Sequence, residues 1–175
     1  MNYRLYAPQD FDQLYALEER CFESPFRFSR RAMRSFVLHP HSATWIAEAD
    51  GQMVGFAIVE WRARKGESRA YIQTIEVAPE ARRQGIGLEL LSRIECSARD
   101  AGAALIWLHV DAENAGAIRL YEVQGYCCEG RKEDFYPMGQ AALIYMKRLN
   151  SVSTNRSLES APLDVEVHNR VPLAS

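Results

Sequence analysis

The sequence predicts an α+β or α/β sandwich built around one mixed sheet, and three observations carry that expectation. Apolar periodicity switches between strand-like and helix-like along the chain, giving the order β, α, α, β, β, β, α, β, α, β, β. The pair Asp50-Gly51 stands between two β-prone runs, as the turn of a hairpin does. The run "AALIWLHV" (103–110) follows an amphipathic helix and stays apolar until His109, the pattern of a parallel strand covered on both faces.

Taken in order, "NYRLYA" (2–7) alternates as a short strand, and Pro8 leads into a helix over 8–22 with Phe11, Leu14, Leu17 and Cys21 at helical spacing. "SPFRFS" (24–29) breaks that helix. Ser29 is placed to cap a second one over 30–39, which stops near Pro40, and its three arginines read as a solvated face. The hairpin strands are "ATWIAEA" and "MVGFAIVEWRA", and after "RKGES" comes a third strand, "AYIQTIEVA" (70–78). A helix over 85–100 carries Ile86, Leu90, Leu91, Ile94 and Ala98 on one stripe and ends at Gly102. "DAENAGAIRLYEVQG" (111–125) is a short helix with Asn114 as N-cap and Gly125 as stop, and "YCCEGRKEDFY" and "AALIYMKRL" close the sheet.

From Asn150 the composition turns to Ser, Thr, Asn and Pro, so residues 1–149 form one domain and residues 150–175 a tail. That tail is expected to be flexible, or to add to a sheet edge through the alternation of Leu163, Val165 and Val167. With 47% apolar and 25% charged residues the 175-residue chain is ordinary globular material. A net charge of −2 provides no general field for a phosphate backbone, which argues against nucleic acid as a direct ligand. The four cysteines show neither CxxC spacing nor paired histidines, so no metal site and no disulfide framework is expected. No apolar run approaches the ~18 residues of a membrane span and the first residues lack a signal pattern, so a cytoplasmic protein is expected, monomeric or homodimeric.

The most informative stretch is "VAPEARRQGIGLELLSRIE" (77–95), where an apolar strand turns into a helix through two arginines and two close glycines. Without Cβ atoms, Gly85 and Gly87 let a ligand approach the backbone, and the amides of a helix N-terminus attract an anion. Arg82 and Arg83 add full charges beside them, a combination suited to a pyrophosphate. The spacing is neither the P-loop nor GxGxxG, and two glycines there also suit a plain turn.

The pattern Arg82-x-x-Gly85-x-Gly87, with Gln84 and Ile86 between, resembles the acyl-CoA pyrophosphate loop of the GNAT acetyltransferase superfamily. The second motif, "HVDAENAGAIRLYEVQGY", is similar to the segment that follows in that superfamily. The resemblance spans residues 3–149 and implies a fold with a mostly antiparallel mixed sheet, one parallel pair beside the cofactor, and helices on both faces. It implies acetyl-CoA as cofactor, with Asn114 and Ala117 against it, backbone groups of Ile75 and Val77 on the pantetheine beside a splayed, bulged strand, and Tyr121 near the sulfur as general acid. Within the superfamily, "SPFRFS", "YIQTIEV" and "DFYPMGQAALIYMKRL" resemble the N-terminal protein acetyltransferases, including the ribosomal-protein alanine type. There Pro25, Phe26, Phe28, Phe135 and Tyr136 would wall a peptide groove, although the usual Tyr-Tyr is Phe135-Tyr136 here.

Such a transfer needs a neutral amine, a place for the oxyanion, and a proton for the leaving thiolate. A peptide α-amine of pKa ~8 loses its proton at pH 7 for ~1.4 kcal/mol, and a lysine amine near ~10.4 for over three times that. A modest base suffices for an N-terminus. His109, near the end of its strand, with Tyr71 at the start of the neighbouring one, resembles the pair that shares deprotonation in some of these enzymes; a packed strand-end histidine is the bland reading. Glu76 is the second candidate base. A small-molecule amine acceptor and a non-catalytic acyl-CoA-binding module are the competing functions.

Overall fold

The computed structural model describes residues 1–62 and 68–149; the tail expectation lies outside them. Seven strands form one open sheet in the order β1-β2-β3-β4-β5-β7-β6. They are β1 (Asn2–Leu5), β2 (Ser42–Ala49), β3 (Gln52–Arg62), β4 (Ser68–Val77), β5 (Ala103–Asp111), β6 (Cys127–Lys132) and β7 (Ala142–Arg148). Every neighbouring pair is antiparallel except β4 and β5. The described residues form four α-helices, α1 (Phe11–Cys21), α2 (Arg30–Val37), α3 (Ile86–Asp100) and α4 (Ala115–Val123). The mixed sheet with one parallel pair and helices on both faces is therefore as expected.

Local chemistry explains the element ends. Asp50 and Gly51 both take positive φ at the β2–β3 turn, the backbone a tight hairpin requires. Ser29 Oγ accepts from Ala32 N and Asn114 Oδ1 from Ala117 N, each capping the helix it precedes. Pro8 starts a short 3-10 turn, Pro8–Asp10, ahead of α1, and Asp10 is tied there by Arg4, which also grips Glu48 of β2.

The faces follow from register. A Cβ on Gly55 would meet Ile86 and Leu90, so Gly55 looks toward α3, and Ile86, Leu90, Leu91, Ile94 and Ala98 are all buried under that helix. Phe56, next along β3, looks the other way, beside Glu76 and toward α1.

Two irregularities open the sheet at its centre. In the β3–β4 ladder Ile58 pairs with Thr74 and Val59 with Ile72, which leaves Gln73 as an extra residue in a bulge. The parallel β4–β5 ladder runs only from Ser68/Ala103 to Tyr71/Trp107, although β4 continues to Val77 and β5 to Asp111. Beyond Tyr71 the two strands part, leaving a cleft.

The helix expected over 8–22 is a 3-10 turn followed by α1, and one strand also differs from expectation. The strand read over 126–136 ends at Lys132, and Phe135 and Tyr136 belong to the turn that follows. Asp134, Met138 and Gly139 have positive φ, and the amides of Phe135 and Tyr136 both donate to Gln140 O, so the chain folds back before it can pair further.

Candidate active site

One end of the cleft is formed by the close of β4 and the glycine loop that follows it. Ala78 N donates to Val54 O on β3, so by strand alternation the backbone groups of Ile75 and Val77 face away from β3, toward the opening. Val77 O accepts from Arg82 Nε at 3.1 Å, folding the arginine over the strand end, and Cys21 Sγ of α1 reaches the same oxygen at 3.7 Å. Arg83 (φ 59) and Gly85 (φ 81) then take left-handed backbone, and Gly85 N-caps α3.

Glu89 N makes the first helical bond to Gly85 O, so the amides just before Glu89 precede the ladder and point out of the helix end. A Cβ at Gly85 would meet nothing within 4 Å, and one at Gly87 only Leu120 and Val77 at 3.7 Å and beyond. Arg83, Gln84 and Gly85 are exposed, whereas the Ile86 side chain is buried and has only its backbone to offer. Open amides beside Arg82 and Arg83, with nothing near a Cβ at Gly85 and only ordinary contacts near one at Gly87, fit a pyrophosphate.

Two of the catalytic candidates, Tyr71 and His109, meet in the cleft. Because of the bulge, Tyr71 lies on the face opposite to α3, and its hydroxyl is 3.2 Å from His109 Nδ1. Trp107 meets Tyr71 edge-on at 4.6 Å and His109 edge-on at 5.3 Å. Phe135 stacks flat on the imidazole, with centroids 4.1 Å apart. His109 is 4% exposed, and burial, with Lys132 adding like charge, pushes its pKa down to about 4.

Glu76 stands apart from this group. It is fully buried, accepts from Thr74 Oγ1 at 3.0 Å and packs with Glu18 of α1; burial, then the Glu18 carboxyl, holds its pKa well above the carboxylate range. That places it under α1 with no surface from which to meet an acceptor.

On the other wall, Asn114 spends its side-chain oxygen on Ala117 N. Tyr121 is buried against Tyr126 and Tyr145, and desolvation raises its hydroxyl pKa.

The residues read as groove walls divide. Pro25 is exposed and Phe26 half-buried. Phe28 is 4% exposed and packs edge-on against Phe36, while its amide donates to Glu18 Oε1, so this ring belongs to the core. Tyr136 is buried beside Phe135. Sequence reasoning missed Trp107, which shares a strand face with His109 two residues on, and Lys132, whose Nζ stands 5.1 Å from the Phe135 ring. The first was readable from period two; the second depends on a turn.

A mixed sheet parted between two parallel strands, with an arginine-flanked glycine loop at the mouth and an aromatic tyrosine–histidine site inside, defines an acyl-CoA-type transferase architecture. The chain belongs to the Acetyltransferase (GNAT) family, whose model matches residues 11–126. It is 40% identical over 96 residues to streptothricin acetyltransferase of Streptomyces lavendulae, covering 54% of this chain and 50% of that one. It is 35% identical over 88 residues to the ribosomal protein bS18 alanine N-acetyltransferase of Escherichia coli K12, covering 50% and 57%. The chain thus spans about half the length of these curated relatives.

Among solved structures, the ribosomal-protein-S18-alanine N-acetyltransferase from Escherichia coli superposes with a TM-score of 0.77 at 26% identity, over 90% of this chain and 99% of that one. Arabidopsis thaliana NAA60 in complex with acetyl-CoA gives 0.75 at 21% identity, over 86% and 99%, a likeness of fold.

Proposed function

We propose that the protein, through a catalytic domain over residues 1–149, is a cytoplasmic N-acetyltransferase. It moves the acetyl group of acetyl-CoA to the α-amine of a protein or peptide N-terminus. The Tyr71–His109 pair at the parting of β4 and β5 carries this reading. Trp107 and Phe135 face it with aromatic rings and Lys132 adds a positive charge beside it, which suits a peptide end more than a polycation. Glu60, the buried carboxylate opposite Tyr71, is already engaged by Arg62 and Gln73. The bS18 alanine acetyltransferase relative and the 0.77 superposition support the same acceptor.

Acetyl-CoA, when bound, supplies the thioester carbonyl that a neutral amine attacks directly. Arg82, Arg83 and the backbone of Gln84, Gly85, Ile86 and Gly87 would hold its pyrophosphate, and Ile75, Val77, Asn114 and Ala117 the pantetheine. His109, neutral above about pH 4, shares a hydrogen bond between Nδ1 and Tyr71 Oη; in the tautomer protonated at Nδ1 it would present the Nε2 lone pair to the amine proton, with Tyr71 sharing the charge. Tyr121, kept protonated by burial, is the donor for the leaving sulfur. Pro25, Phe26 and Tyr136 bound the acceptor entrance.

The streptothricin acetyltransferase relative favours a second reading, a small-molecule amine acceptor. Thiol release from acetyl-CoA with short peptides of varied first residue, free lysine, spermidine and streptothricin separates the two. Turnover of peptides is the expected result. Turnover of spermidine or streptothricin alone would replace the peptide acceptor by a small amine, and none with any amine would leave only a binding module.

A further inference from the structure

His109 is held by more than its hydrogen bond. The Phe135 ring covers one face of the imidazole, 4.1 Å between centroids and 15° from parallel, and Lys132 Nζ sits 5.1 Å from the centre of that same ring. Trp107 meets the imidazole edge-on, and Tyr71 fixes Nδ1. Phe135 is locked in turn by the backbone: its amide and that of Tyr136 share Gln140 O, and Asp134 enters the turn with φ 51. A cation above an aromatic ring whose partner is a neutral imidazole favours the stack, and the same cation disfavours imidazolium beneath it.

We infer that Phe135 and Lys132 form a clamp that positions His109, Phe135 shielding the imidazole from water and pressing it toward Tyr71, Lys132 holding Phe135 flat. Their bearing on turnover rests on the acetyltransferase reading; the clamp itself does not. Among the described residues, several groups surround His109. Tyr71 comes from β4, Trp107 and Asp111 from its own strand, Ile144 lies opposite on β7, and Lys132 and Phe135 come from the end of β6 and its turn. Asp111 accepts from Glu113 N through Oδ1, which ties it to the β5–α4 corner. Lys132 is the charge that bears on the ring.

The test is the NMR titration of the His109 Hε1 resonance in the free full-length protein, assigned against His109→Gln. In the wild type the midpoint is expected at about 4. Phe135→Leu, which admits water, is expected to raise proton affinity at least tenfold, and Lys132→Glu several-fold. Lys132→Arg and Phe135→Tyr keep the cation and the stack and should leave the midpoint in place. Lys132 is exposed at a strand end, so its variants fold even if Phe135→Leu does not. A wild-type midpoint in either Phe135→Leu or Lys132→Glu overturns the clamp. Because no substrate is present, absence of peptide turnover bears only on the functional reading. Where turnover is measured, kcat should fall about tenfold in Lys132→Glu while KM for acetyl-CoA stays put; a KM that rises in step also overturns it.

Discussion

Tyr71 Oη and His109 Nδ1 lie 3.2 Å apart across two strands whose hydrogen-bonded ladder has just ended. The extra residue at Gln73 creates this relationship. Without it, Tyr71 would share a face with Ile75, which looks toward α3; the bulge turns Tyr71 to the opposite face, where His109 stands. Beyond the pair the backbone of β4 is left for a ligand, so the irregularity that opens the cleft also equips it.

The pair sets the pH dependence of turnover. With His109 neutral above about pH 4, its titration lies outside the working range, and the ionisation that remains is that of the acceptor amine, near ~8. We expect kcat/KM for a peptide to rise with pH toward ~8 with no inflection near 6.5. His109→Gln should lower kcat about a hundredfold, the low end for a general base, and Tyr71→Phe about tenfold. A limb at 6.5 that disappears in His109→Gln would show instead an ordinary, hydrated histidine.

The same burial makes His109 a determinant of acid stability. Its folded pKa, about 4, lies below the ordinary 6.5, so between these values the unfolded chain binds more protons and stability falls as pH is lowered through that window. The full difference is on the order of 3 kcal/mol. Urea unfolding at pH 7.5 and pH 4.5 should show the wild type losing more stability than His109→Phe over that interval. Equal losses would mean that the imidazole meets no burial penalty.

Glu76 has the opposite sign. Burial and the Glu18 carboxyl favour its protonated form in the folded state, so its contribution is fully present below the ordinary value of 4.5 and is lost as pH rises through the raised folded value. Glu76→Gln keeps an oxygen for Thr74 Oγ1 and offers an N–H toward Glu18. The variant should match the wild type near pH 5 and exceed it by about 1 kcal/mol or more near pH 8 in chemical denaturation. Were Glu76 the catalytic base, Glu76→Gln would also abolish turnover; placed under α1, it should leave more than half of kcat.

How far the sequence revealed this arrangement depends on the range of each interaction. The hairpin at Asp50-Gly51, the stripe from Ile86 to Ala98 and the caps at Ser29 and Asn114 are local, and their positions were readable from spacing. The glycine loop was equally local. The burial of Phe28 was not, because it depends on Glu18, ten residues earlier, accepting its amide. Nor was the Glu18–Glu76 contact, which joins a helix to a strand 58 residues later. The Phe135 stack depends on a turn with left-handed Asp134, a conformation that the strand reading of "YCCEGRKEDFY" does not contain. The placement of β7 between β5 and β6 is likewise a pairing choice with no local signature.

The glycine loop allows stability and cofactor affinity to be separated. Gly87 lies in the first turn of α3, and an added Cβ would make only ordinary contacts with Leu120 and Val77. Alanine is a better helix former by up to about 1 kcal/mol, so Gly87→Ala should unfold no more readily than the wild type. If the backbone there meets a diphosphate, the methyl group nonetheless stands over the approach, and coenzyme A should bind at least tenfold more weakly, a loss of about 1.4 kcal/mol. Gly85→Ala behaves differently: its φ of +81 strains any side chain, so it should lose on the order of 1 kcal/mol of stability as well as affinity. Calorimetric titration of both variants with coenzyme A and with pantetheine, alongside their denaturation curves, makes the comparison. Pantetheine binding should be little changed, because the loop meets only the phosphate end. Wild-type affinity for coenzyme A in Gly87→Ala would remove the pyrophosphate from this loop and leave the glycines as elements of a turn.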